Sequence, residues 1–77
     1  MGGVYCFPQN LKRLREVRGL SQRQLARKIF VSQAALSAWE RGQKTPQIDR
    51  LCDIAAALGC KPSKLIDPWE DSDGIYR

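Results

Sequence analysis

Residues 22–41 read QRQLARKIFVSQAALSAWER, and the spacing of their apolar side chains restricts the fold more than any other stretch. At helical period they give two short amphipathic helices, about Gln22 to Ile29 and Gln33 to Arg41, separated by Phe30, Val31 and Ser32. The first turns Leu25, Ala26 and Ile29 inward, the second turns Leu36 and Trp39 inward, and Val31 fills the angle where they cross. Ala26 matters through its size. Helices joined by three residues meet steeply and leave little room for a larger side chain at the crossing.

The flanking sequence supplies further helices. Asn10 is a good N-cap for a first helix running to Arg18, with Leu11, Leu14 and Val17 as its apolar stripe and Gly19 as its stop. Lys12, Arg13 and Arg18 read as exposed, and Arg15 lies at the edge of the stripe. Ser21 with Gln24 three residues later makes a capping box, Ser32 caps the second helix of the pair, and Gly42 ends it. Thr45-Pro46 reads as the N-cap and first-turn proline of a fourth helix with Ile48, Leu51, Cys52, Ala55 and Leu58 inward, ended by Gly59. A last short helix from Pro62 contributes Leu65 and Ile66. Residues 1–8 read as an arm that drapes Tyr5 or Phe7 over the domain, 9–69 as the domain itself, and 70–77 as an acidic mobile tail.

Seventy-seven residues allow one domain. No run approaches the eighteen or so apolar residues of a membrane span, and no signal peptide opens the chain, so the expected location is cytoplasmic, without membrane attachment. The start MGGVYC places Cys6 where a myristoylation signal needs Ser or Thr. Residues 1–66 hold twelve Lys and Arg against four Asp and Glu, a charge of +8, whereas residues 67–77 hold four acids and one Arg, or −3. A basic body with an acidic end suits a polyanion-binding domain whose end stays off the binding face. The three cysteines form no CxxC pair and histidine is absent, which argues against a metal site. Cys52 and Cys60 read as small buried hydrophobes, and Cys6 as an ordinary thiol.

On a helical wheel the second helix of the pair turns Ala34, Ser37, Ala38 and Arg41 outward, with Gln33 near one edge. This face is small and uncharged except at its end. A helix that is merely solvated carries Glu and Lys pairs there, whereas one entering a major groove about 12 Å wide gains from small side chains. Gln33 can donate to and accept from the N6 and N7 edge of adenine, Ala34 or Ala38 can meet a thymine methyl, and Ser37 can address several bases. At the start of the preceding helix, Gln22 and Arg23 occupy a first turn suited to a phosphate.

The stretches LREVRGLSQRQLA, SQAALSAWERG and CDIAAALG resemble the phage repressor and Cro-type helix-turn-helix family, the Xre family, over about Leu11 to Asp67. The resemblance implies an all-α, compact five-helix, lambda-repressor-like domain that regulates transcription as a repressor, a homodimer reading an inverted repeat of double-stranded DNA in the major groove. It implies base contacts from Gln33, Ala34, Ser37 and Ala38, and phosphate contacts from Gln22, Arg23, Ser32, Arg41, Lys44 and Thr45. It also implies that Glu40 pairs with Arg15, the alternative being two separate surface charges. The dimer surface it suggests is the side of the fourth and fifth helices with the C-terminal segment, including Ile66 and Trp69. Phe30 stands where the family often has a turn glycine. A left-handed Phe30 would cost about 1 kcal/mol or more, and another turn conformation would shift the following helix.

Two other functions compete with this one. An antitoxin or adaptor acting on a protein partner would show large apolar anchors on the outward helix face, where this chain shows Gln, Ala and Ser. An enzyme would need a nucleophile, carboxylate pair or phosphate loop, and none is legible here; no cofactor is expected.

Overall fold

The computed structural model describes residues 6–67, which form five helices: α1 (Phe7–Val17), α2 (Gln22–Lys28), α3 (Gln33–Glu40), α4 (Ile48–Leu58) and α5 (Pro62–Ile66). α2 packs on α3, α1 crosses both α3 and α5, and α4 packs on α5. Their inward faces converge on one core of Phe7, Leu11, Leu14, Leu25, Ala26, Ile29, Leu36, Trp39, Leu51, Ile54, Ala55, Leu58 and Leu65. Every residue assigned inward in the two motif helices lies in that core, and Val31 packs half-buried against it.

The N-terminus differs from the sequence reading. α1 begins at Phe7, three residues before the expected cap, with Cys6 as its N-cap and Pro8 in its first turn. Phe7 and Pro8 therefore belong to the helix and not to an arm, and Phe7 is wholly buried. Tyr5 lies outside the described residues, as do Trp69 and the tail at 70–77. The buried stripe gains Phe7 and Asn10 ahead of Leu11, Leu14 and Arg15, and Val17, the last residue of the helix, is 64% exposed.

Asn10 is an internal strut where a cap was expected. Its side chain is fully buried, and Nδ2 donates to the carbonyl oxygens of Lys64, Leu65 and Asp67 at 3.2, 3.1 and 2.6 Å. These carbonyls lie at the end of α5, where no later turn of helix exists to accept their bonds. Arg18, read as an exposed cation, does the same for α4: its Nε donates to the Leu58 carbonyl at 2.6 Å. Gly59 then turns the chain at φ +71, in the left-handed region that glycine enters without steric cost.

α4 starts at Ile48 with Gln47 as its cap, so Thr45 is not a cap residue. Residues 44–47 have no helical structure and bridge from the end of α3 to the start of α4. The α4 stripe is Leu51, Ile54, Ala55 and Leu58, whereas Ile48 is 73% exposed and Cys52 is exposed. IDRLCDIAAAL is apolar on more than one side, so two registers of the same period are available, and the folded domain buries the one that contains Ile54. Cys60 is half-buried against the core, and burial raises the pKa of its thiol while Arg18 and Lys64 oppose the rise.

The turn between α2 and α3 keeps left-handed geometry with Phe30 in it, at φ +59. The Phe30 ring gains no burial in exchange, being 90% exposed. An L-residue pays about 1–2 kcal/mol in this region, and glycine avoids that cost while losing about 0.4–1 kcal/mol more backbone entropy on folding. Phe30→Gly is therefore expected to stabilise the domain by about 0.5–1 kcal/mol. A lower midpoint in thermal or urea denaturation would show that the ring has a packing role.

Candidate nucleic-acid interface

α2 and α3 pack on each other through the core, and each begins at a capped end. The Ser21 hydroxyl accepts from the Gln24 amide at 3.0 Å while Gln24 Oε1 accepts from the Ser21 amide at 2.8 Å, which completes the capping box. Ser32 Oγ accepts from the Ala35 amide at 3.0 Å, and its hydroxyl proton remains available to a further acceptor.

The start of α2 lies beside the outward face of α3. A shallow groove between them is lined by Gln22, Gln33, Ala34, Ser37 and Arg41. It thus unites three of the residues expected to face bases with two expected to hold phosphates. Gln33 and Ala34 are exposed, and Ser37 is half-buried. Ala38 is half-buried outside the groove lining, and its carbonyl accepts from the Gln43 amide at 2.9 Å. Arg23, Ser32, Lys44 and Thr45 are exposed but do not line the groove, and Thr45 borders a separate hollow with Trp39, Pro46, Gln47, Asp49 and Arg50.

Arg41 is pre-set in a way the sequence did not disclose. Its guanidinium donates to Ser37 Oγ at 2.9 Å and to Gln43 Oε1 at 3.0 Å. Ser37 therefore accepts from Arg41 and keeps its own proton for donation. Gln43 escaped sequence reasoning because a glutamine in a loop carries no period to place it.

Residues 21–47 carry five cations, Arg23, Arg27, Lys28, Arg41 and Lys44, against one acid, Glu40. That acid is neutralised from within. Arg15 Nε donates to Glu40 Oε2 at 2.6 Å and Arg15 Nη2 to Oε1 at 3.1 Å, with the two side chains only 10% and 4% exposed. Arg15 Nη1 donates to the Leu20 carbonyl at 2.7 Å, so the guanidinium ties α1, the following loop and α3 together. The hydrogen bond to Glu40 raises the Arg15 pKa and outweighs burial, which lowers it; the charges of Glu40 and Glu16 add to the rise. Gln22 Nε2 also donates to Glu40 Oε1, at 3.0 Å, a contact that nothing in the sequence spacing announces.

Two short helices joined through the four residues 29–32, the second exposing small polar side chains in a segment rich in cations, define a helix-turn-helix DNA-binding domain of the lambda-repressor type. The chain belongs to the helix-turn-helix family HTH_3, whose profile matches residues 11–65, and with it to the transcriptional regulators built on this motif. It is 35% identical over 63 residues to the uncharacterized HTH-type transcriptional regulator y4dJ of Sinorhizobium fredii, covering 82% of each chain. Among solved structures it resembles the restriction-modification controller protein C.AhdI of Aeromonas hydrophila, with a TM-score of 0.76, 32% identity, and coverage of 80% of this chain and 94% of that one. It also resembles the P22 c2 repressor in complex with a synthetic operator, with a TM-score of 0.77, 26% identity, and coverage of 83% and 97%. Among the described residues no helix is long and apolar enough to cross a membrane.

Proposed function

We propose that the protein is a sequence-specific double-stranded DNA-binding regulator that acts as a repressor, reading an inverted-repeat operator in the major groove as a homodimer. The observation that carries this reading is the groove shared by Gln22, Gln33, Ala34, Ser37 and Arg41. It sets amide, hydroxyl and methyl groups suited to base edges beside donors suited to phosphate. Gln33, Ala34, Ser37 and Ala38 face the bases, while Gln22, Arg23, Ser32, Arg41, Lys44 and Thr45 fix the register on the backbone. Two copies present their α3 helices to successive major grooves about 34 Å apart. Ile66, 42% exposed on α5, lies on the side assigned to the partner copy. The P22 c2 repressor's complex with an operator supports the DNA assignment by likeness, and no catalytic role is assigned.

The test is selection from randomised duplexes at about 150 mM salt, followed by sequencing of the retained DNA. Enrichment of an inverted repeat is expected. Weak, steeply salt-dependent binding with no enriched sequence would leave only the phosphate term and would favour an antitoxin or adaptor acting on a protein partner. On the selected operator, Gln33→Ala is expected to relax preference at one base pair by about 1–3 kcal/mol. Lys44→Ala should instead weaken all sequences alike and reduce the salt slope by about one. Equal losses on operator and random DNA for Gln33→Ala, measured by fluorescence anisotropy, would remove Gln33 from the base-reading set.

A further inference from the structure

We infer that Glu40 is a positioning residue for the DNA backbone, acting through Gln22: it holds the Gln22 amide so that one N–H is presented to a phosphate oxygen. The inference rests on the proposed DNA-binding function and assigns a task that the Arg15–Glu40 pair alone does not perform. Glu40 Oε1 accepts from both Arg15 Nη2 and Gln22 Nε2, at 3.1 and 3.0 Å, while Oε2 accepts from Arg15 Nε at 2.6 Å. A carboxylate accepts only, so the nitrogen of the Gln22 amide must face it and the amide oxygen must turn away. That nitrogen carries two hydrogens. One is spent on Glu40, and because the amide is planar, fixing it aims the other, with Gln22 half-buried at the groove wall beside Gln33 and Arg41.

Gln33 provides the contrast. Its amide makes no hydrogen bond among the described residues and must be ordered when DNA arrives, whereas the Gln22 amide is ordered beforehand, which removes part of the entropic cost of the contact. A bare carboxylate at this place would repel the phosphate. Two hydrogen bonds from Arg15 cancel its charge, so an acid can serve as anchor on an otherwise cationic face.

Removing Glu40 alone strands Arg15, so the experiment uses Arg15→Met with Glu40→Met, which deletes both charges while keeping similar volume. Full-length wild type, Gln22→Ala, the Met pair and the triple variant are compared on the operator selected by wild type. Gln22→Ala is expected to weaken binding about 3- to 10-fold, the worth of one hydrogen bond. The Met pair should weaken it by part of that factor, and adding Gln22→Ala in the Met background should cost less than it does in wild type. A neutral methylphosphonate at the contacted phosphate should weaken wild type more than it weakens Gln22→Ala or the Met pair, a readout that a merely structural role for Glu40 would not move. If Gln22→Ala costs as much in the Met background as in wild type, the inference is overturned while the DNA-binding reading stands. Failure of wild type to select any operator would overturn both. Should the Met pair not fold, side-chain NMR relaxation of free wild type decides. The Gln22 amide should have an order parameter near the rigid-backbone value of about 0.85, and one below about 0.6, matching Gln33, would overturn the tether.

Discussion

Phe7→Ala is expected to lower the stability of the domain by about 3–5 kcal/mol, a large fraction of what a chain this size can hold. The ring is wholly buried in the core cluster to which all five helices contribute, at the first residue of α1. Its loss removes the apolar area of an aromatic side chain and leaves a cavity that surrounding leucines can only partly fill. Phe7 also sits one turn from Asn10, whose amide closes the end of α5, so loosening α1 there exposes three carbonyls as well. Urea denaturation followed by circular dichroism gives the test, with the midpoint falling and the slope unchanged. A loss below about 1 kcal/mol would return Phe7 to the role of a draped arm residue.

The same residue shows where sequence reasoning stopped. MGGVYCFP has no helical period of its own, and Asn10 is so good a cap that it drew the helix start to itself. Nothing local reveals that Asn10 is needed by α5, more than fifty positions away. The interior was legible for the opposite reason. Leu25, Ala26, Ile29, Leu36 and Trp39 fall at one period in two adjacent short helices, and a single packing satisfies all five. In α4 the chain offers apolar residues on two sides, and which of them is buried is settled by the shared core, not by α4 itself. The interface divides along the same line. Gln33, Ala34 and Ser37 share the groove because they share a helix face, which a wheel shows. The Gln22–Glu40 and Arg41–Gln43 contacts depend on how elements meet, and side-chain type alone does not give that.

Glu40→Ala is expected to cost about 3–5 kcal/mol, an effect as large as losing the Phe7 ring although only a surface-type residue is changed. The magnitude follows from what remains behind. Arg15 is 10% exposed, and without Glu40 its Nε and Nη2 lose their acceptor while only Nη1 keeps the Leu20 carbonyl. A guanidinium does not shed its proton near neutral pH, and the raised Arg15 pKa moves that event further away, so the stranded charge must be hydrated by opening the seam between α1 and α3. By the sign of that shift, the stability that Arg15's proton contributes is fully present below the ordinary arginine range and is lost only as pH rises through the raised value. Between pH 5 and 9 the penalty should therefore be constant. Replacing both partners by methionine should recover most of the loss, because no charge is then buried alone. Denaturation of the two single variants and the double variant, carried out at both ends of that pH range, checks the argument. If the double variant loses the sum of the single losses, the pair is not coupled, and the buried geometry at α1 and α3 is not what holds these helices in register.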